Sequence, residues 1–524
     1  MTFYGDNLAG ATGLWTNFPA KVTVISATNQ NEAAGDKAVF QLIISKETPV
    51  GIGAMRLATT NGVSSLQLFM LDDLPSVTDN GSNKTMATAQ ELKLPTAVDG
   101  ACDELSFDYY RFRAKRGQRI SVETVANRLG SALDPVVRLL DAQGRELVYC
   151  DDDPALGADA RFVYTIPTTG QYLIEMRDLA YQGGPKYRYH LRVGDFPLAN
   201  FPFPFGASPG TKAKVNFGGP DLNTVRPQIV KVPNDCPAKR VRLAVKRAGS
   251  KGTAFVSLLA SQWPELAETE PNDKPEAATK ISVPVAVNGR FAKPRDRDFF
   301  EFQAQKDQRL LFSGKTRSLG SPCDLFMRLY RTDGTLMSEA NIAGANEGTL
   351  TNTFKETGTY RLLVEELNRA GGPELAYRIE IEPLQPGFAL SVETDKVEPV
   401  TGGTFEIKVT SARREFNGPI RLSISGLDDD FALENNVIAE KKNETTLKVK
   451  MPSRFQPGQM LNFSIVGKAK NDGIEQAVTA STMPALRTLF PLLRYPPAEL
   501  DGLIALGVRS PTSKPTEEKP KKKR

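Results

Sequence analysis

Apolar and polar residues alternate with a period of two along most of this chain. Tyr110, Phe112 and Ala114 fall on one side of a segment, followed by Ile120, Val122 and Thr124. Tyr360, Leu362 and Val364, then Leu375, Tyr377, Ile379 and Ile381, repeat the arrangement. Further on come Phe405, Ile407 and Val409; Ile420, Leu422 and Ile424; Leu461, Phe463 and Ile465. Such alternation, broken by turn signals like DAQG (141–144) and RTDG (331–334), predicts antiparallel strands with one buried face. No helix-length segment of 3.6-residue period competes for a core. The predicted fold class is all-β.

The pattern repeats on a larger scale. DYYRF (108–112) recurs as DFFEF (298–302), an offset of 190. The same offset carries Gln118-Arg119 to Gln308-Arg309, Leu129-Gly130-Ser131 to Leu319-Gly320-Ser321, Asp134 to Asp324 and Arg138-Leu139 to Arg328-Leu329. After a two-residue slip TGQY (169–172) meets TGTY (357–360), and GGP (183–185) meets GGP (371–373). One offset joining so many matches predicts two copies of one domain. About seven strands in each copy fit a β-sandwich. Segments before the copies also correspond: YGDNL (4–8) with NFGGPDL (216–222), and TPVGIGAMRLAT (48–59) with CPAKRVRLAV (236–245). FPFPFGASPGTKAKV (201–215) has no counterpart ahead of residue 4, so an entry strand upstream of Met1, with a secretion signal before it, is expected.

Composition narrows the chemistry. The net charge is +5, but the tail from Lys514 to Arg524 holds six basic and two acidic residues and so supplies +4 of it. The remainder is near neutral, which argues against nucleic acid as a partner. No run of about 18 apolar residues exists to span a membrane. Cys102, Cys150, Cys236 and Cys323 show no CxxC spacing, which argues against zinc; a Cys102–Cys150 pair is left open. His190 is the only histidine, so histidine-dependent nucleophilic catalysis has one residue to draw on. It lies opposite the apolar row Tyr187, Tyr189, Leu191 and Val193, where an exposed or rim position is expected.

Several motifs are weighed and set aside. GASPG (206–210) fits a nucleophile elbow by pattern, but Pro209 follows the serine and no helix pattern follows, so a turn is expected. GIGAMR (51–56) is a single weak glycine pair between strands. DDD (151–153), with Asp134 and Asp159, reads as a solvated loop more readily than as a cation site. FPFPF (201–205) reads as an edge strand and domain junction. ETEPND (268–273) is the motif that remains. Its three carboxylates and an amide oxygen within six residues fit either a calcium site or a polar linker. The corresponding stretch of the first copy, TDNGSN (78–83), lacks both glutamates and the proline yet still links two domains, which favours a separate use for the acids.

EPND, GR-x-D-x-D-F/Y-F/Y-x-F, the LGSxxDxxxRL run and TGxYxxxV/M together resemble the bacterial pre-peptidase C-terminal domain family. The smaller partner segments resemble IPT/TIG Ig-like domains, and the two-domain unit resembles envelope proteins of planctomycete-type bacteria. The resemblance implies a tandem array of about five antiparallel β-sandwich domains, Ig-like and jelly-roll-like. Their expected spans are 1–76, 83–197, 198–265, 268–385 and 386–485, with a short extension and disordered Lys-rich tail over 486–524. It also implies calcium (Ca2+) held by Glu268, Glu270, Asn272 and Asp273, with Asp298 and Asp296 from PRDRDFF. The two-residue spacing of Asp296 and Asp298 departs from the three expected of calcium-binding members, which weakens the downstream half. The implied function is non-catalytic: a secreted, periplasmic or cell-surface protein binding extracellular polysaccharide, peptidoglycan or a matrix or envelope protein. The alternative is an accessory part of a secreted protease or other hydrolase whose catalytic domain lies elsewhere.

Overall fold

A computed structural model describes every residue except 6, 7, 9, 29–35, 237, 238, 342–346, 472 and 512–524. The Lys-rich tail thus lies outside the described residues. The chain is all-β, and the longest helix among the described residues is the seven-residue Met483–Leu489. No helix among the described residues is long and apolar enough to cross a membrane.

The chain divides into two compact units. The larger comprises Pro49–Gly51 and Met70–Leu384. Within it the first repeat is built from β1 (Ser76–Thr78), β2 (Gln90–Glu91), β3 (Thr96–Ala101), β4 (Asp108–Ala114), β5 (Arg119–Val125), β6 (Pro135–Asp141), β7 (Glu146–Cys150), β8 (Arg161–Thr165), β9 (Gly170–Asp178) and β10 (Arg188–Gly194). The second repeat supplies β11 (Glu265–Ala267), β12 (Thr279–Lys280), β13 (Val285–Arg290), β14 (Arg297–Ala304), β15 (Arg309–Lys315), β16 (Leu325–Arg331), β17 (Leu336–Asn341), β18 (Thr349–Thr353), β19 (Gly358–Glu366) and β20 (Ala376–Pro383). Each repeat forms two five-stranded sheets. The orders are β1-β3-β10-β5-β8 and β2-β4-β9-β6-β7 in the first, β11-β13-β20-β15-β18 and β12-β14-β19-β16-β17 in the second. The strand order is the same in both, which gives the 190-residue sequence offset its structural meaning.

Each pair of sheets encloses one core. Tyr110, Phe112, Ile120, Val122, Ile174, Met176, Leu191 and Val193 pack together in the first repeat. Phe300, Phe302, Leu310, Phe312, Leu362, Val364, Tyr377, Ile379 and Ile381 do so in the second. The faces predicted from period-two alternation are the faces buried.

One departure concerns strand direction. The short strands β1 and β2 pair parallel to β3 and β4, and β11 and β12 parallel to β13 and β14. Parallel neighbours need a crossover. The chain provides it by passing from one sheet to the other between each short strand and its partner. The segments 79–83 and 268–273 are parts of those passages, so the join preceding each repeat is pinned to both sheets.

Between the repeats, Phe201–Phe203, Lys212–Gly218 and Gln228–Lys231 form one three-stranded sheet, and Gly206–Ala207, Arg240–Val245 and Ala254–Ala260 another. Val215, Val232, Val245 and Leu258 lie in their shared core. Phe201 and Phe205 pack with Leu319 and Ala376 of the second repeat, as a junction segment would.

The smaller unit comprises Met1–Thr48, Ile52–Phe69 and Gln385–Arg524. In its C-terminal part Gly387–Val392, Thr404–Arg414, Ala432–Glu434 and Glu444–Lys450 face a six-stranded sheet across a core that includes Ile407, Leu447 and Ile465. The stretch read from sequence as a short apolar extension enters this core: Ile504–Gly507 pairs with Met460–Phe463, and Ile504, Leu506 and Val508 are buried there.

Candidate metal centre

The ETEPND segment lies where the second repeat's chain changes sheets. It leaves the first sheet at β11, and the Glu268 N–H donates to Asn288 O at 2.9 Å. It reaches the second sheet at Asn272, whose carbonyl accepts the Phe299 N–H at 3.0 Å. Asp298, Phe300, Phe302 and Ala304 form the inward row of β14, so alternation drives the Asp298 carboxylate under the segment; the residue is fully buried. Tyr377 from β20 reaches the same point. Its hydroxyl lies 2.6 Å from Asp298 Oδ2 and 3.0 Å from Glu268 Oε2.

Carboxylate oxygens of Glu268, Glu270 and Asp298 lie within 4.8 Å of one another, the one such cluster among the described residues. Asn272 is fully buried, and its side-chain amide, set with the nitrogen toward the acids, donates to Asp298 Oδ1 at 3.0 Å and to Glu270 Oε2 at 3.2 Å. A cation among the carboxylates would instead be met by the same amide turned over, oxygen inward. Glu268 Oε1 accepts the Arg290 N–H at 2.6 Å, and Tyr377 has a single proton to share between two acids.

The electrostatics follow from this crowding. Burial, reinforced by the neighbouring Glu268 charge, pushes the Asp298 carboxyl up to about 9. Burial also raises Glu268 to about 7 despite its hydrogen bonds from Arg290 N–H and Tyr377. Without an ion, the pair must hold protons to tolerate its own proximity. Gly289 makes the close approach possible, since a methyl group there would overlap both the Tyr377 hydroxyl and the Glu268 carboxylate.

The other two candidates stand to one side. Asp273 pairs with Lys293 Nζ at 2.8 Å, and that ammonium holds its carboxyl below the usual range. Asp296 is buried; its Oδ2 accepts the Ala292 N–H at 2.7 Å, while Oδ1 has no hydrogen-bond partner and lies 3.6 Å from Lys293 Nζ. The structure thus brings Glu268, Glu270, Asn272 and Asp298 together and sets Asp273 and Asp296 beside them. Hard oxygens of this kind suit calcium, which takes six to eight at flexible geometry.

Elsewhere the structure corrects the sequence reading. His190 is not a rim residue but buried, at 4% exposure. Its Nε2 lies 2.9 Å from Asp72 Oδ2 and its Nδ1 2.7 Å from Asp99 Oδ1. Burial alone would lower its pKa, but the hydrogen bonds and charges of Asp72 and Asp99 outweigh it and hold the ring at about 9. Next to it Arg192, fully buried, donates to Asp72, Glu123 and the Thr253 carbonyl. The face of β10 opposite the core is covered by the join at Asp72 and the loop at Thr253, which the alternation of β10 itself does not reveal. In the second repeat Arg378 takes the position of His190 and binds Glu265 and Glu380.

In and beside the acidic loop at 151–153, Asp153 holds Arg161 through two bonds, and Asp159 accepts the Ala126 and Asn127 N–H groups and pairs with Arg128. Gly206–Ala207 forms a short strand and GASPG continues into a turn, with no helix. Cys102 and Cys150 are free thiols.

No family model matches the chain. A stretch of 113 residues is 31% identical to a probable subtilase-type serine protease of Deinococcus radiodurans, covering 20% of this chain and 15% of that protein. Among solved structures, the pre-peptidase C-terminal domain of a Bacillus anthracis collagenase aligns at 16% identity over 20% of this chain and 93% of that one, with a TM-score of 0.17. A Clostridium perfringens protein comprising an M60 catalytic domain with two CBM51 domains aligns at 9% identity over 72% of this chain and 39% of that one, with a TM-score of 0.20.

Proposed function

We propose that this chain is a non-catalytic, exported, modular protein that binds or spaces components of the cell envelope or extracellular matrix, and that calcium stabilises its second repeat. The carrying observation is the convergence of the Glu268, Glu270 and Asp298 carboxylates, with no protein cation among them in the described residues. Asp298 is buried and Glu268 partly so; acids left together in this state cost stability, and an ion from solution removes the cost. The architecture is read as a tandem array of about five β-sandwiches, two of them of the pre-peptidase C-terminal type and the smaller ones Ig-like. Candidate partners are extracellular polysaccharide, peptidoglycan or a matrix protein.

The same reading assigns no catalytic residue. The single histidine is buried and held between Asp72 and Asp99. A second reading, an accessory segment of a secreted protease, is favoured by the 113-residue match to a subtilase-type protein. Screening the intact chain for retention on glycans, peptidoglycan and matrix proteins, with calcium and with chelator, tests the binding role. Calcium-dependent retention on one of these supports it. No retention on any of them, or peptide hydrolysis that survives purification and is lost on a point mutation in the chain, overturns it.

A further inference from the structure

The first repeat has the same passage between sheets, tied down by equivalent backbone hydrogen bonds. The Asp79 N–H donates to Asp99 O at 2.9 Å as Glu268 does to Asn288, and Asn83 O accepts the Tyr109 N–H at 2.8 Å as Asn272 does from Phe299. Tyr189 stands opposite Gly100 as Tyr377 stands opposite Gly289, and donates to Asp108 Oδ2 at 2.8 Å. Asp108 is therefore the partner of Asp298, Lys84 of Asp273, and Gly81 of Glu270. Asp103 corresponds to Lys293, because each lies two residues before a left-handed residue, Leu105 or Arg295, that bonds the opposite loop.

The two repeats thus carry one ion pair with its charges exchanged. In the second, Lys293 lies outside, its side chain 60% exposed, and pairs with Asp273. Asp298 beneath is left without a cation. In the first, Lys84 reaches inward. Its Nζ lies 2.6 Å from Asp108 Oδ1 and 2.8 Å from Asp103 Oδ2, and the Asp108 side chain is 1% exposed. The acids are also fewer, since Gly81 and Ser106 stand where the second repeat has Glu270 and Asp296.

We infer that the Lys84 ammonium is a built-in cation that fills the first repeat's counterpart of the metal centre, making that repeat permanently closed and blind to calcium. Lys84 is thus the residue that decides which repeat responds to an ion. A tethered ammonium satisfies Asp108 at all times. The second repeat, with its lysine displaced to the rim, must recruit its charge from solution. The inference uses the proposed calcium role only for the second half of this contrast.

The test uses the intact chain. Amide hydrogen exchange at Asp79 and Tyr109 reports the first passage, and at Glu268 and Phe299 the second. Lys84→Met is expected to speed exchange at the first pair at least tenfold and leave the second pair unchanged, while Lys84→Arg, which keeps the charge, restores protection. Calorimetric titration with calcium of Lys84→Asp, built on a Glu268→Ala/Glu270→Ala background that removes the other centre, is expected to show one bound ion where the background shows none. Unchanged exchange in Lys84→Met, or no ion in Lys84→Asp, overturns the inference. A wild-type chain that binds no calcium overturns the proposed function instead and leaves the exchange result to decide on Lys84.

Discussion

Raising the pH in the absence of divalent ions should destabilise the second repeat selectively, and calcium should abolish the effect. Glu268 is raised from 4.5 to about 7 in the folded chain, and Asp298 from 3.8 to about 9, in each case chiefly by burial. A raised folded pKa means that the folded state holds protons the unfolded state has released. Its contribution to stability is complete below the unfolded value and is lost as pH climbs through the folded one. The window therefore opens near pH 4.5 and closes near pH 9. The Glu268 displacement alone corresponds to roughly 3 kcal/mol. Asp298 is not added to it, because the two acids compete for the same proton. For a segment of this size that is a melting shift of roughly 10 °C. The chain has several cores and will not melt as one, so the reading must be local. Urea titrations at pH 5, 7 and 9, followed by hydrogen exchange at Phe299, supply it. Protection should fall with pH in chelator and stay flat in millimolar calcium, where the ion replaces the protons. Protection that rises with pH in chelator, or the same decline with calcium present, would refute the reasoning.

Other consequences can be checked separately. His190, the only histidine, should give a proton-NMR titration well above 6.5, near 9; stability linked to it should be complete below pH 6.5 and be lost as pH rises through about 9. An ordinary midpoint near 6.5 would mean that Asp72 and Asp99 do not hold it. Gly289→Ala should cost about 1–3 kcal/mol by overpacking against Tyr377 and Glu268, and should weaken calcium binding, both measurable on one preparation by denaturation and titration. Arg192→Met should cost about 3–5 kcal/mol at pH 7, because Asp72 and Glu123 are left buried without their cation, and chemical denaturation of the first repeat reads it.

The sequence carried the strand faces and the repeat because both are local or periodic. Phe112, Val122, Leu362 and Ile379 are buried where alternation puts them, and the DYYRF and DFFEF strands occupy the same place in the same strand order. What stayed hidden depends on contacts between distant segments. The fate of His190 is set by Asp72, 118 residues earlier, which covers a strand face that period two alone predicts to be open. The parallel edge strands are too short to show a period, and Ile504–Gly507 gains its meaning only by pairing with a strand more than 40 residues away. At the candidate centre, Glu268, Glu270 and Asn272 were legible as a motif. Tyr377 and Gly289 were not, since nothing in their own neighbourhood points to carboxylates. Lys84 left a signal that a longer alignment of the two passages would catch: it directly follows Asn83 as Asp273 follows Asn272.

The central claim is that one repeat of this chain takes an ion from solution. Calcium titration calorimetry of the intact protein at pH 7, on the wild type and on Glu268→Ala/Glu270→Ala, addresses it most directly. Extracellular sites commonly bind with dissociation constants near 10⁻⁴–10⁻³ M, roughly the range expected here. The account predicts one ion per chain, lost in the double variant while the β-sheet signal is retained. No ion, two ions, or one ion indifferent to both substitutions would contradict it.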